Sequence, residues 1–161
     1  PRKNLARLVA AMATRATDQP LVVAGAPGWG DAAPQVGTPN VRFLGYVPDV
    51  DLGPLYAAAT VFAYPSKREG FGLPVAEAML QGTPVVTSSG TSTEEVAGGA
   101  AVLVDPRNVA SIAAGIDEAN DRAAELAELG ALRAGELTWT AAANRTRDVY
   151  RELVPVGGDA L

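Results

Sequence analysis

Residues 61–87 read VFAYPSKREGFGLPVAEAMLQGTPVVT. Val61-Phe62-Ala63-Tyr64 is a short apolar run with β-branched and aromatic residues, the composition of a strand. A polar and glycine-bearing stretch follows, from Pro65 to Gly72. Pro74 to Gln81 then has a helical pattern, with proline at its first position and Gly82 where a glycine usually ends a helix. Pro84-Val85-Val86-Thr87 is strand again. Strand, loop, helix and strand in so few residues predict parallel strands joined by a helical crossover.

The alternation extends in both directions. Leu21-Val22-Val23-Ala24-Gly25, Val41 to Val47 and Ala101-Val102-Leu103-Val104 are further apolar runs, and runs apolar on both faces suit parallel strands covered by helices. Between them Leu5, Leu8, Val9 and Met12 recur at helical spacing behind Asn4, placed as a cap. Leu52–Ala59 and Val109–Ala119 are predicted helices, residues 121–137 continue as helix, and Thr140 opens a last one through Leu153. The expected fold is α/β, a Rossmann-like parallel sheet with helices on both faces. One domain over residues 1–154 is expected, with 155–161 a frayed tail. Residue 1 opens a helix without a preceding strand and turn, so the domain is expected to lack its first strand.

Composition narrows the chemistry. The 161 residues are 48% hydrophobic and 19% charged, a globular balance that supports a core. No run approaches the roughly 18 apolar residues of a membrane-spanning helix, and none resembles a signal peptide, so a cytoplasmic location is expected. There is no cysteine and no histidine, which removes thiolate chemistry and the commonest general base. The net charge of −5 has the wrong sign for a generic nucleic-acid surface. The charges in the 121–137 stretch, and Arg145, Arg147 and Arg151, have the ordinary explanation of a solvated helix face.

The loop of the opening stretch carries the chemical signal. Gly70 and Gly72 allow close backbone approach to a ligand, and free amides at a helix N-terminus favour a phosphate or diphosphate. The carboxyl edge of a parallel sheet is where α/β folds bind ligands. Glu69 precedes the glycines and Glu77 lies one turn into the helix. Carboxylates cannot favour phosphates, so they should face hydroxyls; each charge-assisted bond to a sugar diol contributes roughly 1.5–3 kcal/mol. A phosphate cradle flanked by two diol-binding acids describes a nucleotide-sugar site. Taken singly, Glu69 could be a loop surface acid and Glu77 a helix-dipole partner contributing about 0.3–1 kcal/mol.

Glu69 to Met79, followed by Gly82-Thr83-Pro84-Val85-Val86, resembles the Glu-x7-Glu signature of retaining glycosyltransferases, closest to glycosyltransferase family 4 with its two-domain GT-B fold. The likeness spans about residues 1–153 and includes Pro1-Arg2-Lys3-Asn4, Phe43 to Val47, Glu94-Glu95-Val96, Leu103 to Pro106 and Trp139. Glu94 departs from it, standing where many members carry proline, and the loop from Gly28 to Thr38 looks shortened.

The resemblance implies a nucleotide-sugar donor, a UDP- or GDP-hexose, with no other cofactor. It gives Glu69 the transferred sugar, Gly70, Phe71, Gly72 and Leu73 the diphosphate through backbone amides, and Glu77 the ribose. It gives Lys3 the charge of the leaving diphosphate, and Val47 the nucleobase. It also implies an acceptor-binding N-terminal domain not contained in these residues, without which this chain should transfer nothing; any membrane contact would come through that part. Metal-independent catalysis is expected, with Lys3 and the amides in the ion's place. Gly25-Ala26-Pro27-Gly28-Trp29-Gly30 mimics a dinucleotide fingerprint, but its glycine spacing is wrong and no helix pattern follows. Trp139 and Tyr150 are expected to be packing anchors. Two other readings remain open: a nucleotide-sugar epimerase of similar architecture, disfavoured by the missing histidine, and a non-catalytic module that kept the fold.

Overall fold

The computed structural model describes residues 2–25 and 40–153. The expectations for the Gly25–Gly30 turn beyond Gly25, the shortened 28–38 loop and the 155–161 tail lie outside them. Helices and strands alternate: α1 (Leu5–Thr14), β1 (Leu21–Ala24), β2 (Val41–Gly45), α2 (Asp49–Ala57), β3 (Phe62–Tyr64), α3 (Leu73–Leu80), β4 (Val85–Ser88), α4 (Ser92–Ala97), β5 (Val102–Val104), α5 (Val109–Asp121), α6 (Ala123–Glu136) and α7 (Trp139–Leu153).

Among the described residues every strand pairing is parallel. Leu21 lies beside Val41, Phe62 beside Val85, and Val86 beside Val102. The α/β fold with parallel sheets flanked by helices is as expected from the alternation. The hydrogen-bonded ladder, however, is divided among the described residues: β1 pairs with β2, and β3-β4-β5 form a separate three-stranded sheet. Leu21 of β1 and Ala63 of β3 nevertheless pack on one apolar cluster.

β4 is buried along its whole length, and consecutive valines serve opposite faces. Val86 joins Val102, Val104, Leu8 and Ala11 of α1, and Ile112, Ile116 and Ala119 of α5. Val85 joins Val75, Ala78 and Met79 of α3, Val96 and Ala97 of α4, and Ala134 of α6. Burying side chains of this size contributes about 1.5–3 kcal/mol each. Two helical glycines allow the closest approaches. A Cβ on Gly115 would collide with Val104 Cγ1, and one on Gly130 would lie 3.2 Å from Met79 Cγ.

Element ends differ from the sequence reading where a side chain or dihedral angle overrides the pattern. Asn4 stands at the N-cap of α1 in a left-handed conformation, yet does not cap; its amide donates to the carbonyls of Pro65 (3.0 Å) and Pro106 (2.6 Å). β2 stops at Gly45, whose φ of +70° turns the chain out of the strand before Val47. α3 begins at Leu73, so Pro74 occupies its second position. α7 begins at Trp139 rather than Thr140, because the Thr138 hydroxyl accepts the Ala141 N–H and caps it. Trp139 and Tyr150 do not anchor packing: both are exposed, and α7 buries none of its residues against the rest of the described chain.

Candidate functional site

The carboxyl ends of β3 and β4 lie side by side, and the loops that follow them touch. Gly72 is the pivot. Its φ is +109°, where only glycine is relaxed, and an added Cβ would sit 2.6 Å from Thr93 Cγ2 in α4. Gly70 has open space around it, as close approach of a ligand requires. Among the described residues no side chain caps the N-terminus of α3, and Phe71 and Leu73 are exposed beside it. From the neighbouring loop, the Ser92 hydroxyl donates to the Glu69 carbonyl at 3.0 Å. Thr93 joins a hydroxyl network with Thr87 and Thr91, both at 2.7 Å.

Glu69 has a nearly buried side chain, 8% exposed. Its Oε1 accepts the Tyr64 hydroxyl at 2.8 Å and its Oε2 pairs with the Arg2 guanidinium. A carboxylate offers about four acceptor positions, so two partners leave capacity for further hydroxyl donors. Arg2 reaches the loop because its segment is tied down: the Lys67 N–H donates to the Arg2 carbonyl at 3.0 Å, and Asn4 holds Pro65 and Pro106. Next to it, Lys3 is exposed and its Nζ lies 5.9 Å from the centre of the Tyr64 ring.

Glu77 is exposed on α3, and its Oε2 accepts the Tyr56 hydroxyl of α2 at 3.0 Å. Phe62 lies between the two tyrosines, edge-on to Tyr56 at 5.1 Å and stacked on Tyr64 at 5.6 Å. Burial first, and then the hydrogen bond and charge of Glu69, push the Tyr64 phenol up to about 12. Burial first, and then Glu77, raise Tyr56 further. Both phenols therefore remain protonated donors at neutral pH.

Of the residues expected from sequence, the structure brings Lys3, Glu69, Gly70, Phe71, Gly72 and Leu73 to one sheet edge, with Glu77 on the adjoining helix. Val47 is half-buried in the turn between β2 and α2; among the described residues no hydrogen bond joins it to the loop. Sequence reasoning did not single out Arg2, Tyr56, Tyr64, Ser92 or Thr93 as members of the site. One signal was present for the last two: Gly90-Thr91-Ser92-Thr93 is a second glycine and hydroxyl turn between strand and helix. The arrangement offers backbone amides and a lysine for an anion, and two oriented carboxylates for hydroxyls.

The family model described as glycosyl transferases group 1 matches residues 1–121. The O-antigen chain mannosyltransferase B of Escherichia coli is 42% identical over 95% of this chain and 44% of its own. The chain thus spans less than half the length of that curated relative. Among solved structures, sucrose-phosphate synthase from Thermosynechococcus elongatus superposes with a TM-score of 0.76 at 29% identity, over 94% of this chain and 42% of that one. The Anabaena protein HepE, in complex with UDP, gives a TM-score of 0.80 at 23% identity over 96% and 46%, a likeness of fold alone.

Proposed function

The chain belongs to the group 1 glycosyl transferases, and from that membership we propose that it is the donor-binding half of a retaining family 4 enzyme. Such an enzyme transfers a hexosyl group from a UDP- or GDP-sugar to an acceptor hydroxyl. The observation that carries this reading is the placement of Glu69 and Glu77 on either side of the α3 N-terminus, with Gly70 open to a ligand between them. The mannosyltransferase relative supports a hexosyl donor. The acceptor-binding part lies in the length of the relatives that this chain does not span, and the whole enzyme works in the cytoplasm.

In this reading the amides of Gly70, Phe71, Gly72 and Leu73 hold the diphosphate, Glu77 the ribose hydroxyls and Glu69 the transferred sugar. Val47 meets the nucleobase through its backbone. The acceptor oxygen attacks the anomeric carbon on the face the diphosphate leaves. The bond from that carbon to the phosphate oxygen breaks as the new glycosidic bond forms, and the acceptor proton passes to the departing diphosphate. Lys3 and the amides stabilise the charge that develops, without a divalent ion, and Glu69 fixes the sugar in attack geometry.

Calorimetric titration of the full-length enzyme with UDP and with GDP tests the site. One nucleotide is expected to bind saturably, about tenfold more weakly in Glu77→Ala, equivalent to about 1.4 kcal/mol. Lys3→Ala is expected to cut transfer. Failure of both nucleotides to bind the folded enzyme overturns the reading, and full activity of Lys3→Ala overturns its electrostatic part.

A further inference from the structure

The two carboxylates of the site have something in common that their spacing does not explain: each receives a hydrogen bond from a tyrosine. Tyr64 donates to Glu69 at 2.8 Å and Tyr56 to Glu77 at 3.0 Å. The tyrosines come from different elements, β3 and α2, and meet on the two sides of Phe62. We infer that Tyr64 and Tyr56 are positioning residues, each holding one carboxylate in the orientation its sugar-hydroxyl contacts need. This rests on the donor-site reading above.

The physical need differs between the two acids. Glu69 sits in a loop, where no regular backbone orients its side chain; the Tyr64 and Arg2 bonds take one oxygen each and fix the plane of the carboxylate. Glu77 is anchored on a helix but exposed, and a free glutamate side chain there retains rotamer entropy that a ligand would have to overcome. The Tyr56 bond restricts that freedom in advance. It engages Oε2, and among the described residues no hydrogen bond occupies Oε1, which is left to accept from a ribose hydroxyl. Both phenol rings pack on Phe62, Tyr56 edge-on and Tyr64 stacked, which limits their movement. Their raised pKa values keep both protons in place through neutral and mildly alkaline pH. Phenol-to-carboxylate bonds of this kind are charge-assisted and about twice as strong as neutral ones.

Tyrosine-to-phenylalanine variants of the full-length enzyme isolate this role, because they keep the ring packing and delete only the donor. Steady-state kinetics with the sugar nucleotide and calorimetry with the bare nucleoside diphosphate should split the two residues. For Tyr64→Phe, kcat falls about tenfold while the donor KM stays within about twofold, since Glu69 acts on the transferred sugar. For Tyr56→Phe, donor KM and the nucleotide Kd rise about tenfold while kcat stays within about twofold. Glu69→Gln and Glu77→Ala run alongside. If those two are impaired but both phenylalanine variants match the wild type, the positioning role is overturned and the donor site stands. If the phenylalanine variants lose kcat and KM together in proportion to a fall in melting temperature, the tyrosines only pack, and the inference fails. If Glu69→Gln and Glu77→Ala are themselves unimpaired, the donor-site reading falls with it.

Discussion

Gly72 is held by two independent constraints, its φ of +109° and the Thr93 methyl 2.6 Å from where a Cβ would stand. Gly72→Ala should therefore cost about 2–4 kcal/mol, part backbone strain and part overpacking. Adding Thr93→Ser removes the methyl, keeps the hydroxyl network, and should recover the overpacking part alone. Urea denaturation of the single and double variants measures that coupling, and strict additivity of the two changes would refute the contact. At this scale the sequence was readable where residues are close together in the chain. The eight-residue step from Glu69 to Glu77 and the two intervening glycines were visible by spacing. Thr93 and Tyr56 were not, because each meets its partner about twenty residues away, across a strand pair or a helix packing that no local pattern encodes.

At the level of elements, two glycines inside helices should respond to the same substitution with opposite sign. Gly115 of α5 lies against Val104, so Gly115→Ala loses about 1–3 kcal/mol to overpacking, more than the roughly 1 kcal/mol of helix propensity it gains. Gly135 of α6 has nothing within 4 Å of where an added methyl would stand, and Gly135→Ala should stabilise by about 0.5–1 kcal/mol. Thermal melts of both variants decide it; destabilisation by both would mean that Gly135 is as closely packed as Gly115. The element pattern was legible from apolar periodicity, and Gly82 ends α3 as its sequence suggested, in a left-handed turn. Asn4 shows why ends are harder. Its residue type favours capping, but two carbonyls 61 and 102 positions away compete for its amide and win.

For the molecule as a whole, the parallel pairing and the helices on both faces follow from the alternation, whereas the order of strands in the sheet does not. Apolar runs identify strands without naming their neighbours, and β1 and β3 are equally apolar whether paired or not. β4 is paired on both sides and wholly buried, whereas none of the residues of α2 is buried. The amides of α2 should exchange with solvent about tenfold or more faster than those of β4. Equal protection of the two, measured by hydrogen exchange, would contradict this.

The anchoring of Asn4 by Pro65 and Pro106 also sets an order of assembly during synthesis. Ribosomes add about 5–20 residues per second, so the segment bearing Arg2 and Lys3 waits on the order of 5–20 s between its own emergence and that of its farther anchor. Ser92, which clamps Glu69, and Thr93, which abuts Gly72, emerge in that interval. The nascent chain thus carries both glutamates well before the last tie on the segment that bears the lysine. That tie comes with the turn into α5.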